Sequence, residues 1–141
     1  MIIVDATVLA YAVGDAHPLR DPCRGLLAAH ADGRVEVTTT VEVIQEFAHI
    51  RARRRGLSDA VRLAGGFIAG FDLLVTTPAE LIHGLELFAA HPAPGSFDAV
   101  LAAVAIDRGA DALVSADSAF SAIRGMTVID PATPAMSLIG D

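Results

Sequence analysis

Four carboxylates stand where a folded chain could gather them: Asp5, Glu46, Asp98 and Asp117. Asp5 directly follows the apolar run Ile2-Ile3-Val4, and Asp117 comes two residues after Ala112-Leu113-Val114-Ser115. Continuous apolar runs of this length read as strands buried on both faces. In an open parallel sheet, ligand sites form beyond the carboxyl ends of the strands, so acids at two such ends converge when the strands are neighbours. Glu46 lies inside the helical segment that follows Val35-Glu36-Val37-Thr38, and Asp98 lies in the first turn of an Ala-rich helical segment. Hard oxygen donors without a thiolate or imidazole cluster suit Mg²⁺ or Mn²⁺ better than zinc.

Each acid has a plainer alternative. Asp5, Asp98 and Asp117 could be N-caps or first-turn acids that complement a helix dipole. Glu46 could be a surface acid, but it sits in the apolar stretch Val43-Ile44-Gln45-Glu46-Phe47-Ala48, where a carboxylate needs a partner or an ion. Glu42 lies one turn before Glu46 on the same face and is its rival as a ligand. A capping box with Thr39 would account for Glu42 structurally.

The remaining composition narrows the chemistry. All ten basic residues are Arg, so a P-loop lysine, a Schiff base and a lysine general base are excluded. The single cysteine, Cys23, rules out an internal disulfide and a Cys-based zinc site, and reads as a small hydrophobe. The five histidines show no HxH or HExxH spacing. A net charge of −7 weighs against a nucleic-acid binder, less so if the acids are concentrated around bound cations. The one basic cluster is Arg51, Arg53, Arg54 and Arg55; it is either a solvated helix end or a clamp on a phosphate backbone. Hydrophobic residues make up 53%, and the surplus suggests a surface covered by a partner or a second copy of the chain. No apolar run reaches the 18 or so residues of a membrane span, and Met1 to Val13 reads as a buried first strand rather than a signal peptide, which predicts a cytoplasmic protein.

The elements that must position the acids alternate. Strands are expected at 2–4, 35–38, 73–76, 112–115 and 126–129. Helices are expected at 20–31, after the Thr39 box, at 58–70 from Ser58, at 78–90 and at 96–108. Thr77-Pro78-Ala79-Glu80 combines a cap, a proline at the first helical position and a box glutamate. Gly109 suits the end of the 96–108 helix. With no repeat and no linker, residues 1–141 read as one domain: an α/β fold with a parallel sheet and helices on both faces.

Four segments together resemble the PIN-domain family, and within it VapC-type toxins. They are IIVDATVL at the start, TTVEVIQEF, SFDAVLAAVAIDRGADALVSADSAF, and MTVIDP near the end, in the family's order and covering most of the chain. The resemblance implies a three-layer α/β/α fold with a mainly parallel sheet of about five strands. It implies a metal-dependent endoribonuclease with Asp5, Glu46, Asp98 and Asp117 as the Mg²⁺ or Mn²⁺ ligands. Thr7 and Ser115 match hydroxyl positions that orient those carboxylates. Ala119 stands where many members carry a further acid, which removes one ligand of a second ion. The implied partners are an RNA substrate (transfer or ribosomal RNA), a cognate antitoxin and a second copy in a homodimer. Two rivals fail on residues: a haloacid-dehalogenase-type phosphatase needs an acid where Thr7 stands, and a response-regulator receiver needs a lysine. A PIN-like module that binds without catalysis is the remaining alternative, supported by Ala119 and the acidic charge.

Overall fold

The computed structural model describes residues 1–139; Gly140 and Asp141 lie outside the described residues. Four short strands form one parallel sheet: β1 (Ile2–Val4), β2 (Val37–Thr38), β3 (Ala112–Val114) and β4 (Val128–Ile129), in the order β2-β1-β3-β4. Ile2, Ile3 and Val4 pair with Ala112, Leu113 and Val114, while Ile2 and Ile3 pair with Val37 and Thr38 on the other edge. Leu113 and Val114 pair with Val128 and Ile129. Six helices flank this sheet in a three-layer α/β/α arrangement: α1 (Ala6–Val13), α2 (Arg20–Ala31), α3 (Val41–Arg55), α4 (Leu57–Gly70), α5 (Pro78–Ala90) and α6 (Gly95–Asp107).

The sheet has four strands, not the five expected. The run 73–76 reaches only an isolated bridge between Leu74 and Thr40. Two backbone bonds hold it, Leu74 N–H to Thr39 O at 2.9 Å and Val41 N–H to Leu74 O at 3.1 Å. The capping box that opens α5 follows at once, and Pro78 has no N–H to extend a ladder. Helix α1 is a further departure from the expectation of strand there. Its start is set by Asp5, whose carboxylate accepts from the N–H groups of Thr7 and Val8.

Strands β1 and β3 and the residues that close them are fully buried, and so are Val8, Leu9, Phe47 and Phe120 against them. Cys23 belongs to this core with no exposure, as its reading as a small hydrophobe requires. Helix α6 is buried from Leu101 to Ala105, where its Ala-rich sequence lets neighbours approach closely. The closest approach is at Gly84 of α5, where a Cβ would stand 2.5 Å from the Val100 Cα. Any side chain there would push α6 away, and with it Asp98.

Candidate metal centre

All strands run parallel, so β1 and β3 end side by side. The chain leaves β1 toward β2 on one side and leaves β3 toward β4 on the other. The crevice between these two ends is the switch point at which an α/β sheet offers a site. Asp5 stands at one lip; Ser115, Ala116 and Asp117 form the other.

Two hydroxyls bridge the lips. Thr7 Oγ1 donates to Asp5 Oδ1 at 2.5 Å and accepts from the Ala116 N–H at 3.0 Å. Ser115 Oγ donates to Asp5 Oδ2 at 2.5 Å and accepts from the Asp117 N–H at 2.9 Å. Each oxygen of Asp5 thus receives one hydroxyl proton, and each hydroxyl is oriented by a backbone amide of the β3 loop. The carboxylate has little freedom left. Burial still dominates its titration and holds it above the ordinary aspartate range, against the lowering effect of these hydrogen bonds.

Asp5, Glu46, Asp98 and Asp117 line one cavity of about 420 Å³. Asp98 projects from the first turn of α6, and its carboxyl is pushed up to about 7 by burial and then by the charges of Asp5, Glu46 and Asp117. Glu46 is raised by partial burial and by Asp5. Asp117 caps the short 3₁₀ turn Ser118–Ala122, with Oδ1 accepting from the Ala119 N–H at 2.9 Å. Asp5 and Asp117 therefore do serve as caps, and they still face the cavity. Among the described residues, none of the four acids forms an ion pair with Arg or His, and no three acidic, His or Cys side chains are drawn into a closed coordination shell. The donor set nevertheless fits a hard cation. It is all carboxylate oxygen, none of its members is ion-paired, and burial together with neighbouring acids raises the Asp98 and Glu46 carboxyls.

Three sequence expectations need correction here. The cap of α3 is Thr40, not Thr39: the Val43 N–H donates to Thr40 Oγ1 at 3.3 Å, while Thr39 Oγ1 donates to the Val4 carbonyl and ties β2 to β1. Glu42 is therefore not in a capping box. It accepts from Thr76 Oγ1 at 3.1 Å and lines a neighbouring apolar groove rather than the four-acid cavity. Glu46 lies off the buried face of α3, which Val43, Ile44 and Phe47 supply; the residue is largely exposed, and its carboxyl is partly enclosed where it lines the cavity. Finally, Arg51 is not free to meet a phosphate, since its Nε donates to Asp59 at 2.5 Å and its Nη1 to the Val13 carbonyl at 3.3 Å. Arg55 pairs with Asp15, whereas Arg53 and Arg54 are exposed without an ion-pair partner among the described residues.

The profile of the PIN domain matches residues 2–126. The chain belongs to the PIN-domain family. Ribonuclease VapC7 of Mycobacterium tuberculosis is 51% identical over 144 aligned positions, covering all of this chain and 99% of the relative. Ribonuclease VapC23 of the same species is 31% identical across 77% of this chain and 86% of its own length. Among solved structures, VapC20 of M. tuberculosis, a Sarcin-Ricin loop cleaving toxin, superposes with a TM-score of 0.73 at 21% identity, covering 86% of this chain and 94% of that one. The VapBC2 complex of Rickettsia felis, bound to promoter DNA, gives 0.73 at 16% identity, with 92% and 98% covered. At these identities the structural likeness concerns the fold, and the fold is that of VapC proteins. This PIN domain is thus VapC-like in sequence along its whole length, and the crevice between β1 and β3 is where its acids meet.

Proposed function

We propose that this protein is a metal-dependent endoribonuclease, the toxin component of a VapBC-type pair. One observation carries the reading: four carboxylates without a cationic partner share one cavity at the carboxyl ends of β1 and β3, in a chain 51% identical over its length to a VapC ribonuclease. Asp5, Glu46, Asp98 and Asp117 would hold Mg²⁺ or Mn²⁺. When bound, such an ion supplies charge neutralisation at a scissile phosphate and a more acidic water.

The chain's own residues do the rest. Thr7 and Ser115 keep both oxygens of Asp5 in place, which preorganises the most buried ligand before any substrate arrives. Burial, and then the charges of the other three acids, push the Asp98 carboxyl up to about 7 and tie its charge state to whatever cation or proton occupies the cavity. Arg53 and Arg54, at the far end of α3, offer positive charge of the kind an RNA backbone needs. The proposal extends to residues 1–141 acting as a single cytoplasmic domain; no helix among the described residues is long and apolar enough to cross a membrane. It also extends to a cognate antitoxin and to a homodimer. Exposed Leu81, Ile82, Leu85 and Phe97 offer apolar surface for such contacts.

The test is cleavage of total RNA with ends mapped by sequencing, in Mn²⁺, in Mg²⁺ and with chelator, with Asp98→Asn in parallel. Defined ends that need the metal are expected, and the variant should lose on the order of 10³-fold in rate. Absence of metal-dependent ends for the natural chain, or equal cleavage by Asp98→Asn, overturns the assignment and leaves a PIN-like binding module. Transfer RNA and ribosomal RNA loops are separated by where the ends map.

A further inference from the structure

The acid cavity has a second wall that metal chemistry does not use. Tyr11 from α1 and His17 from the following loop line it, together with Arg54 from α3. Tyr11 is the chain's single tyrosine. Tyr11 is half-buried, and its ring centroid lies 4.5 Å from that of His17, at an interplanar angle of 32°. It makes no side-chain hydrogen bond among the described residues. His17 is exposed, yet its ring is fixed: Nδ1 accepts from the Leu19 N–H at 3.1 Å, which leaves the proton on Nε2 as an outward donor. Arg54 is exposed and holds no ion pair among the described residues, unlike Arg51 and Arg55 beside it.

Tyr11 packs against the hydrophobic core and also lines the cavity, whose fifth carboxylate, Asp15, is paired with Arg55. An exposed histidine needed only for solubility would not be pinned by a backbone amide against that ring. The combination of an oriented aromatic pair, an outward N–H donor and a free guanidinium is the equipment with which proteins hold single-stranded nucleic acid, since bases stack on rings and phosphates meet arginine. The cavity's volume of about 420 Å³ is that of a small-molecule site. It is continuous from the four acids to the ring pair, so one occupant can touch both ends.

Resting on the ribonuclease reading, we propose that Tyr11 and His17 form a base-stacking platform for a nucleotide of single-stranded RNA next to the scissile phosphate, with Arg54 on the adjoining phosphate. The site then selects unpaired RNA, because a base still stacked in a duplex cannot lie on the ring pair.

The experiment measures binding of the full chain to a short fluorescent single-stranded RNA of mixed sequence, and to the same backbone with abasic sugars, by anisotropy at several salt concentrations. The natural chain is expected to bind the base-bearing RNA about 10-fold tighter than the abasic one. His17→Ala and Tyr11→Leu should bring base-bearing RNA down toward the abasic level, and Tyr11→Phe should keep the preference. Arg54→Gln should weaken both RNAs equally and flatten the salt dependence. His17→Ala changes an exposed residue, so it decides the matter if Tyr11→Leu fails to fold. Equal binding of the two RNAs by the natural chain, or an undiminished preference in both His17→Ala and Tyr11→Leu, overturns the platform. If the natural chain still makes metal-dependent cuts that Asp98→Asn does not, the ribonuclease reading survives that loss. If it neither binds nor cuts RNA, both fall together.

Discussion

Two carboxylates in this molecule are almost equally hidden from water, and they behave in opposite ways. Glu80 of α5 is 5% exposed, as is Asp5. Arg108 donates to Glu80 from Nε at 2.6 Å and from Nη2 at 3.2 Å, and the Thr77 N–H donates at 2.8 Å to complete the capping box. The guanidinium foremost holds Glu80 down to about 2, with burial opposing. Asp5 receives only hydroxyls and amides, burial wins, and its pKa rises. Two carboxylates equally screened from water are thus finished in one place, where Arg108 covers Glu80, and unfinished in the other. A buried acid with its cation present is part of the scaffold; one without it, facing three more acids, awaits a charge from outside.

The largest effect on stability should come from undoing the finished pair. Arg108→Leu leaves Glu80 buried without its cation and is expected to cost about 3 kcal/mol in urea unfolding. The pH dependence has a definite sign. Glu80 is depressed in the fold, so its contribution is present above the ordinary glutamate pKa of 4.5 and is lost as pH falls through about 2. Arg108→Leu should erase that acid-side loss. A variant as stable as the natural chain would mean that the pair is ornamental and the contrast with Asp5 is false.

The next effect sharpens the unfinished side. A cation that binds the folded chain alone stabilises it by about 2.7 kcal/mol at one hundred times its dissociation constant. Thermal melting with Mn²⁺ should therefore raise the midpoint of the natural chain and of Arg108→Leu alike, while Asp98→Asn should respond far less. Equal shifts in all three would place the ion elsewhere.

Asp98 itself supplies a smaller effect of opposite direction. Its carboxyl is raised in the fold, so the native state binds more protons than the unfolded chain between about pH 4 and 7, and stability falls as pH rises through that window. Without added metal, Asp98→Asn should be more stable than the natural chain above pH 7, by about 1–2 kcal/mol once its partial solvent exposure is taken into account. The two should coincide below pH 4. A variant that is less stable at every pH would show that contacts stabilising the Asp98 carboxylate outweigh its burial beside like charges.

The contrast also explains what the sequence could reveal. Helix α5 was legible to the residue because Thr77, Pro78 and Glu80 each act within one turn, so local chemistry fixes its start. The acids at the ends of β1 and β3 were legible because short buried strands announce themselves as apolar runs. Helix α1 was not, since Ala6–Val13 is apolar almost throughout and has no periodicity to separate helix from strand. The frame of α3 was missed among three successive threonines, and only tertiary contact decides that Thr39 turns toward Val4 while Thr40 caps. The fifth strand was overestimated because Leu73 and Leu74 carry strand propensity but the chain has room for a single bridge before α5 begins. In the site, the hydroxyls of Thr7 and Ser115 pair with a carboxylate that adjoins Thr7 but is 110 residues from Ser115. A resemblance could point to them, whereas periodicity could not. The pairing of Tyr11 with His17 depends on how α1 ends, and α1 was the helix not foreseen.

The smallest effect concerns the two glutamates of α3, which sequence alone left as rivals. Glu46 shares the cavity with Asp5, Asp98 and Asp117 and is felt electrically by Asp98; Glu42 meets Thr76 and lines the adjoining groove with Glu46 and Asp98, but does not reach the cavity or shift Asp98. Glu42→Gln keeps an acceptor for the Thr76 hydroxyl and removes only an exposed charge, so stability should change by less than about 0.5 kcal/mol. Cleavage should stay within about 2-fold of the natural chain, because the variant leaves every cavity acid in place and mutations beyond a shared network act independently. Glu46→Gln, one turn further along the same helix, removes a charge from the cavity and should depress both cleavage and the Mn²⁺-dependent melting shift. Measured side by side, the two variants separate position from charge. A reversed outcome, with Glu42→Gln inactive and Glu46→Gln intact, would move the metal centre out of the crevice between β1 and β3 and into the groove beside it.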